Sequence, residues 1–128
     1  MGKIESFEDL EVYQLALELQ QEVFELSKTF PAEEKYSLTD QVRRSSRSVG
    51  SNISEAWAKR KYPAHFVSKL SDSDGEQNET RHWLRSALLC RYIAEVDFER
   101  LVEKCKTIGR KLGNMMQHPD QWVPKECR

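Results

Sequence analysis

Glu79-Thr80-Arg81-His82 sets a carboxylate and an imidazole three residues apart. On a helix this is the half-site spacing of a di-iron carboxylate centre, which also takes a second Glu-x-x-His and two further glutamates. His65 and His118 have no glutamate three residues before them, so the ligand set is short and no metal is expected. Cys90, Cys105 and Cys127 form no Cys-x-x-Cys pair and have no histidine close by in sequence, so neither a zinc site nor an activated thiol is indicated. Gly50 and Gly75 stand isolated, and no glycine-rich loop could cradle a phosphate. No nucleophile is paired with an oriented base. The chain is expected not to be an enzyme and to use no cofactor.

The remaining chemistry is cationic. Arg43, Arg44 and Arg47 fall within about one and a half helical turns, and Lys59-Arg60-Lys61 follow further along. A guanidinium offers parallel donors that match a phosphate. Arg43, Arg47, Lys59, Arg60 and Lys61 are therefore the candidate nucleic-acid-binding residues. In the alternative, the last three merely favour a helix C-terminal dipole and the charges serve protein–protein assembly. Beside these cations Gln41, Arg44, Ser48, Asn52 and Glu55 recur at helical i, i+3, i+4 spacing. This polar stripe is either a solvated flank or a seam inside a bundle or between subunits, and spacing alone leaves both open.

The elements that must position these residues are helices. The chain has 128 residues, one domain's worth. Five glycines and four prolines are too few for a turn-rich all-β protein. The first predicted helix spans 8–29, with Ser6 and Asp9 as a capping box. Val12, Ala16, Leu19, Val23, Leu26 and Phe30 form its core stripe, and Tyr13, Leu17 and Phe24 a second one, so it needs two partners. Pro31 stops it. The second helix is expected after Ser37, with Asp40 completing another capping box, and buries Leu38, Val42, Ser45, Val49, Ile53 and Ala56. The third opens at Pro63. Residues 71–82 contain no apolar side chain and hold Gly75, so local rules favour a loop there, against one long helix with a polar waist. The fourth carries Phe98, Leu101, Cys105, Ile108, Leu112 and Met115, with Asp97 as its expected N-cap, and ends at His118-Pro119. The expected domain is 1–118 with a tail over 119–128, in which Trp122 and Val123 are the residues able to dock back onto the bundle.

The net charge is −1, so no global field steers the chain to an anionic partner. That balance conceals segregation. Residues 1–36 hold three lysines against nine carboxylates, whereas residues 41–61 hold six cations against Glu55 alone. No apolar run approaches the length of a membrane span, no export pattern opens the sequence, and the odd cysteine count reads as reduced thiols. A cytoplasmic protein without membrane contact is expected.

Several stretches together resemble one family. These are Phe7-Glu8-Asp9-Leu10-Glu11-Val12-Tyr13-Gln14, then Phe30-Pro31 with Glu33-Glu34 and Tyr36-Ser37-Leu38, and Gln41-Val42-Arg43-Arg44-Ser45 continuing through Ser48-Val49 to Asn52-Ile53-Ser54-Glu55. Further on come Gly75-Glu76, Glu79-Thr80, Trp83-Leu84, Ala87 and Tyr92-Ile93. The pattern, over roughly residues 7–112, is similar to the four-helix-bundle proteins known as 23S rRNA-intervening-sequence proteins. The chain departs from it at Ala56 and at Arg91, where the family usually has glycine. The resemblance implies an all-α, up-down-up-down antiparallel four-helix bundle, with residues 71–82 helical. It also implies a ring-shaped homopentamer, and a relation to the accessory protein of diversity-generating retroelements, which binds nucleic acid and a reverse transcriptase.

In such a bundle the second and third helices level Asn52 with Asp72, Ser48 with Glu76, and Arg44 with Glu79. The stripe then becomes a structural polar seam of Arg44, Ser48, Asn52, Glu55, Glu76 and Glu79, with Arg44 bound to Glu76 or Glu79. Losing one partner of a partly buried pair would cost about 3–5 kcal/mol. The expected function is non-enzymatic binding of nucleic acid, RNA or DNA, or of a nucleoprotein partner, through repeated basic patches. The alternative is a protein-interaction scaffold without nucleic acid.

Overall fold

The computed structural model describes residues 3–127, so residues 1, 2 and 128 of the expected domain and tail lie outside the described residues. Four helices make the fold: α1 (Glu11–Ser27), α2 (Asp40–Ala58), α3 (Pro63–Leu89) and α4 (Glu95–Gln117). Each packs on two neighbours, in the cycle α1–α2–α3–α4–α1. Ion pairs fix the directions. Arg44 near the start of α2 meets Glu79 late in α3, while Glu55 near the end of α2 meets Lys69 early in α3. Lys111 near the end of α4 meets Glu11 at the start of α1. Arg43 near the start of α2 donates to Ser27 at the end of α1, so successive helices are antiparallel and the chain is an all-α four-helix bundle.

The buried stripe of α3 explains why residues 71–82 are helical. Phe66, Leu70, Ser73, Gln77, Thr80, Leu84 and Ala87 are all buried. Their spacing of four and three never breaks, so the heptad seam continues through the waist with polar members in place of apolar ones. Both hydroxyls find partners, and Gln77 finds one for its Nε2, while its buried Oε1 has none among the described residues. Ser73 Oγ donates to the Val49 carbonyl at 2.8 Å. Thr80 Oγ1 lies 2.8 Å from Ser45 Oγ and 2.9 Å from the Glu76 carbonyl, and Gln77 Nε2 donates to Asp74 Oδ1 at 2.9 Å. The short Ser73 and Thr80 side chains let α2 and α3 approach closely, and their hydrogen bonds offset the cost of burying the hydroxyls. Gln77 also marks a close approach by α4, because a Cβ on Gly109 would stand 2.9 Å from its Nε2.

The other three helices bury the stripes their periodicity indicates. The α4 ladder from Phe98 to Met115 is in the core, as are Val12, Ala16, Leu19 and Val23 of α1. The caps differ from expectation. Ser6 and Asp9 do form a capping box, but around a 3₁₀ turn, Phe7–Asp9, and α1 begins after the extended Leu10. Ser37 does not cap α2. The chain enters that helix through a π-helical turn, Lys35–Thr39, whose Lys35 carbonyl accepts the Asp40 N–H, so the first amides of α2 already have partners. Asp97 sits inside the first turn of α4, after the extended Ala94, and there binds Arg100 at 2.7 Å. Beyond α4, Pro119–Trp122 form a 3₁₀ turn, and Trp122 meets Trp57 edge-on at 6.1 Å between ring centroids.

α3 ends in a Schellman motif. The Tyr92 N–H donates to the Ala87 carbonyl and the Arg91 N–H to that of Leu88, both at 2.9 Å. The residue at the turn is Arg91, with φ 63°, in the left-handed region that favours glycine. A side chain there costs about 1 kcal/mol or more. Arg91→Gly should therefore raise the unfolding free energy by about 1 kcal/mol. Urea denaturation checks this, as a higher midpoint at unchanged slope.

Candidate nucleic-acid interface

The bundle sorts its cations into paired and unpaired sets. α1 carries four carboxylates and no cation, and Glu11, Glu18 and Glu22 pair with three of the five cations of α4, Arg100, Lys104 and Lys111. Lys104 reaches Glu22 at 2.7 Å and Glu18 at 3.3 Å, and Arg100 binds Glu22 at 3.1 Å. Burial opposes the Glu22 charge, but hydrogen bonds from Lys104 and Arg100 outweigh it and hold the carboxyl below its usual range. These cations are occupied within the fold.

Along α2–α3 the seam is simpler than its levels suggest. Arg44 forks between two carboxylates, Glu76 at 2.9 Å through Nη1 and Glu79 through Nη2. Glu79 also accepts from the Trp83 indole at 3.3 Å. Glu55 pairs with Lys69 at 2.8 Å. Asn52 turns back onto its own helix and donates to the Ser48 carbonyl at 2.9 Å, so it does not bridge to Asp72. Ser48 stays on the α2 surface rather than binding Glu76. The Arg44 side chain is 49% exposed and Glu76 and Glu79 are 20% and 37% exposed, so water screens the cluster. The larger penalty expected for a partly buried pair does not apply. The Arg44–Glu76 coupling in a double-mutant cycle with Arg44→Ala and Glu76→Gln should come out at about 1 kcal/mol or below.

Arg43 and Arg47 lie on the other flank of α2, beside α1. The Arg43 guanidinium stands 4.8 Å from the centroid of Phe24 and that of Arg47 5.7 Å, with Lys28 Nζ at 4.8 Å from the same ring. Arg43 Nε donates to Ser27 Oγ at 2.7 Å. Lys28 is paired with Glu25, whereas neither arginine makes a salt bridge among the described residues. Phe24 thus holds two guanidinium groups through its ring face, an attraction that leaves their charge uncompensated. A shallow depression runs along this surface, lined by Asp40, Arg43, Arg44, Arg47, Ser48 and Ser51. Asp40 is its single acidic wall residue.

Lys59, Arg60 and Lys61 are elsewhere. They form the turn from α2 to α3, about 18 Å along the helix axis from Arg47 at 1.5 Å per residue. The sequence patch is therefore two clusters on one bundle. Arg60 lies 3.7 Å above the Trp57 ring and donates from Nε to the Trp57 carbonyl. Lys59 and Lys61 are exposed. Spacing did not reveal Phe24 as the organiser of the first cluster. Its place on the second apolar stripe of α1 was the available signal, but pairing it with Arg43 and Arg47 required the fold.

Of the groups weighed for covalent or metal chemistry, Cys105 is buried and His82 packs on Trp83, while Cys90 and Cys127 are exposed free thiols. Burial pushes the Cys105 thiol up to about 12, so it holds no thiolate near neutral pH. His82 meets Trp83 edge-on at 4.8 Å. Among the described residues no three His, Cys, Asp or Glu side chains gather as a metal site, and no helix is long and apolar enough to cross a membrane.

Fold and surface together define a four-helix-bundle protein with segregated charge. The chain belongs to the 23S rRNA-intervening sequence protein family, whose model matches residues 8–114. It is also similar to the crystal structure of a protein of unknown function from the S23 ribosomal protein family of Bacteroides thetaiotaomicron. The two share 29% identity and a TM-score of 0.74, with 83% of this chain and 98% of that one covered. Among curated proteins none matches. The relation to the retroelement accessory protein finds no support in these likenesses.

Proposed function

We propose that this bundle is a non-enzymatic nucleic-acid-binding protein that works as a homo-oligomer in the cytoplasm. The observation that carries the reading is the contrast between Arg43 and Arg47, which have no carboxylate partner among the described residues, and Arg44, which has two. Two guanidinium groups on an aromatic ring offer a phosphate several donors at once. Lys59 and Lys61 extend the positive surface toward the α2–α3 turn.

Self-association is supported by apolar surface left uncovered on the monomer. Leu17, on the second stripe of α1, is 38% exposed, and Leu89 and Val96 are 74% and 68% exposed. The family resemblance favours five copies. Each basic cluster would then repeat around the assembly, and repetition raises avidity without a new kind of contact. Light scattering coupled to size exclusion tests this directly. A multiple of the 15.0 kDa chain mass that co-elutes with a structured RNA supports the reading. A monomer that elutes apart from RNA at low salt contradicts it and leaves the protein-interaction scaffold.

A further inference from the structure

Besides charge, the α2–α3 turn presents an aromatic ring. Tyr62 is 52% exposed. Lys61 Nζ stands 5.4 Å from its centroid, and His65 meets it edge-on at 6.0 Å. The neighbouring Trp57 is less open, being half-buried, with Arg60 only 3.7 Å from its ring centroid and Trp122 meeting it edge-on. Lys59 and Lys61 make no ion pair among the described residues, and the first turn of α3 is free of carboxylates. Glu126 comes near Arg60 and is the acidic group acting on that guanidinium. The turn thus combines a half-open π face with uncompensated cations close to it in sequence.

We infer that Tyr62 is a stacking platform for an unpaired base, so that the nucleic acid taken by this turn is single-stranded. The inference rests on the proposed function and adds the kind of strand to it. Proteins that hold single strands without reading sequence combine a cationic track for phosphates with aromatic faces for bases. In a duplex the bases are already stacked on each other, so the Tyr62 ring has nothing to receive and only the cations act. Lys59 and Lys61 are placed to meet the phosphates that flank a base seated on Tyr62.

The opposite end of the bundle supplies an internal control. Tyr36 is 72% exposed, more than Tyr62, and also has a lysine beside it, with Lys35 Nζ 5.3 Å from the ring. Its turn, however, holds Glu33 and Glu34, which repel a phosphate backbone. Exposure alone would make Tyr36 the better platform, whereas exposure combined with charge selects Tyr62.

Fluorescence anisotropy with a labelled single-stranded RNA, and with the same sequence as a duplex, tests the assignment on the full chain. Tyr62→Ala should weaken single-strand binding about 10-fold and leave duplex binding and the salt dependence unchanged. Tyr62→Phe should bind like wild type, because it keeps the ring, and Tyr36→Ala should bind like wild type as well. The inference is overturned, with the proposed function intact, if wild type binds and Tyr62→Ala loses nothing. Equal loss on both strand forms, or equal loss in Tyr36→Ala, overturns it too. If wild type binds neither strand form at low salt, both the inference and the proposed function fail. Circular dichroism on each variant separates lost binding from lost fold.

Discussion

Reversing Arg43 and Arg47 together to glutamate should weaken nucleic-acid binding about 100-fold or more. Each guanidinium is available for a charge-assisted hydrogen bond to phosphate, worth about 1.5–3 kcal/mol, and removing both is enough to exceed the roughly 2.7 kcal/mol of a 100-fold change. Reversal also adds repulsion. The effect should be strongly salt-dependent, with the slope of log K against log salt falling by about one unit for each phosphate no longer neutralised. Arg43 has a structural task as well, through its hydrogen bond to Ser27. Arg47→Glu alone is therefore the cleaner arm, since Arg47 is exposed and rests on the Phe24 ring. Arg44→Glu is the contrasting variant. Its two carboxylates already neutralise it, so it should disturb the α2–α3 seam more than binding. Equal binding loss from Arg44→Glu and Arg47→Glu, in folded proteins, would refute the division of the arginines.

Filling the waist of α3 with an apolar residue should harm the protein. Ser73→Leu is expected to lower the unfolding free energy by about 2–4 kcal/mol, from overpacking and the broken hydrogen bond to Val49. Ser73→Ala should cost only about 1 kcal/mol. A reading based on amphipathic pattern gives the opposite order, because leucine would complete the apolar stripe between Leu70 and Leu84. The site is fully buried, and its hydroxyl lies 2.8 Å from the carbonyl of the facing helix. No space remains for a branched side chain unless α2 and α3 separate. Urea denaturation of the two variants against wild type decides the matter, and a Leu variant more stable than wild type would sink the close-packed waist.

The same waist shows where sequence reading loses its grip. The α4 ladder was legible because each of its buried positions is apolar and the spacing is regular. The α3 seam has the same spacing, yet Ser73, Gln77 and Thr80 look like loop residues until Ser45 and Val49 of α2 are set opposite them. Burial of a polar side chain depends on a partner, often from another element, and local pattern does not show it. Family resemblance carried the helix across this gap. The caps failed for a related reason. Ser37 and Asp97 have the right residue types and spacing, but the π-helical turn before α2 and the extended Ala94 before α4 moved the true helix starts.

The candidate site was legible in part. Residue type alone identified the cationic side chains, and antiparallel levelling put Arg44 beside Glu79. Spacing could not show that Arg43 and Arg47 share Phe24, nor that the turn cations form a second cluster on another part of the surface. Both depend on α1 and α3 being brought alongside α2. The near-zero net charge concealed the outcome as well, since it took the fold to show that carboxylates of α1 pair with cations of α4 while Arg43 and Arg47 of α2 have no carboxylate partner among the described residues.

The salt dependence of nucleic-acid affinity for the unmodified protein puts the basic surface itself to the test. Anisotropy titrations with a structured RNA and a duplex DNA at several salt concentrations give log K against log salt, whose slope is about −0.9 per phosphate neutralised on duplex DNA. Measurable binding is expected at about 50 mM salt, where exposed charges still act over more than about 10 Å, with a slope of several units. No binding under those conditions, or binding indifferent to salt, would contradict a cationic nucleic-acid interface on this bundle.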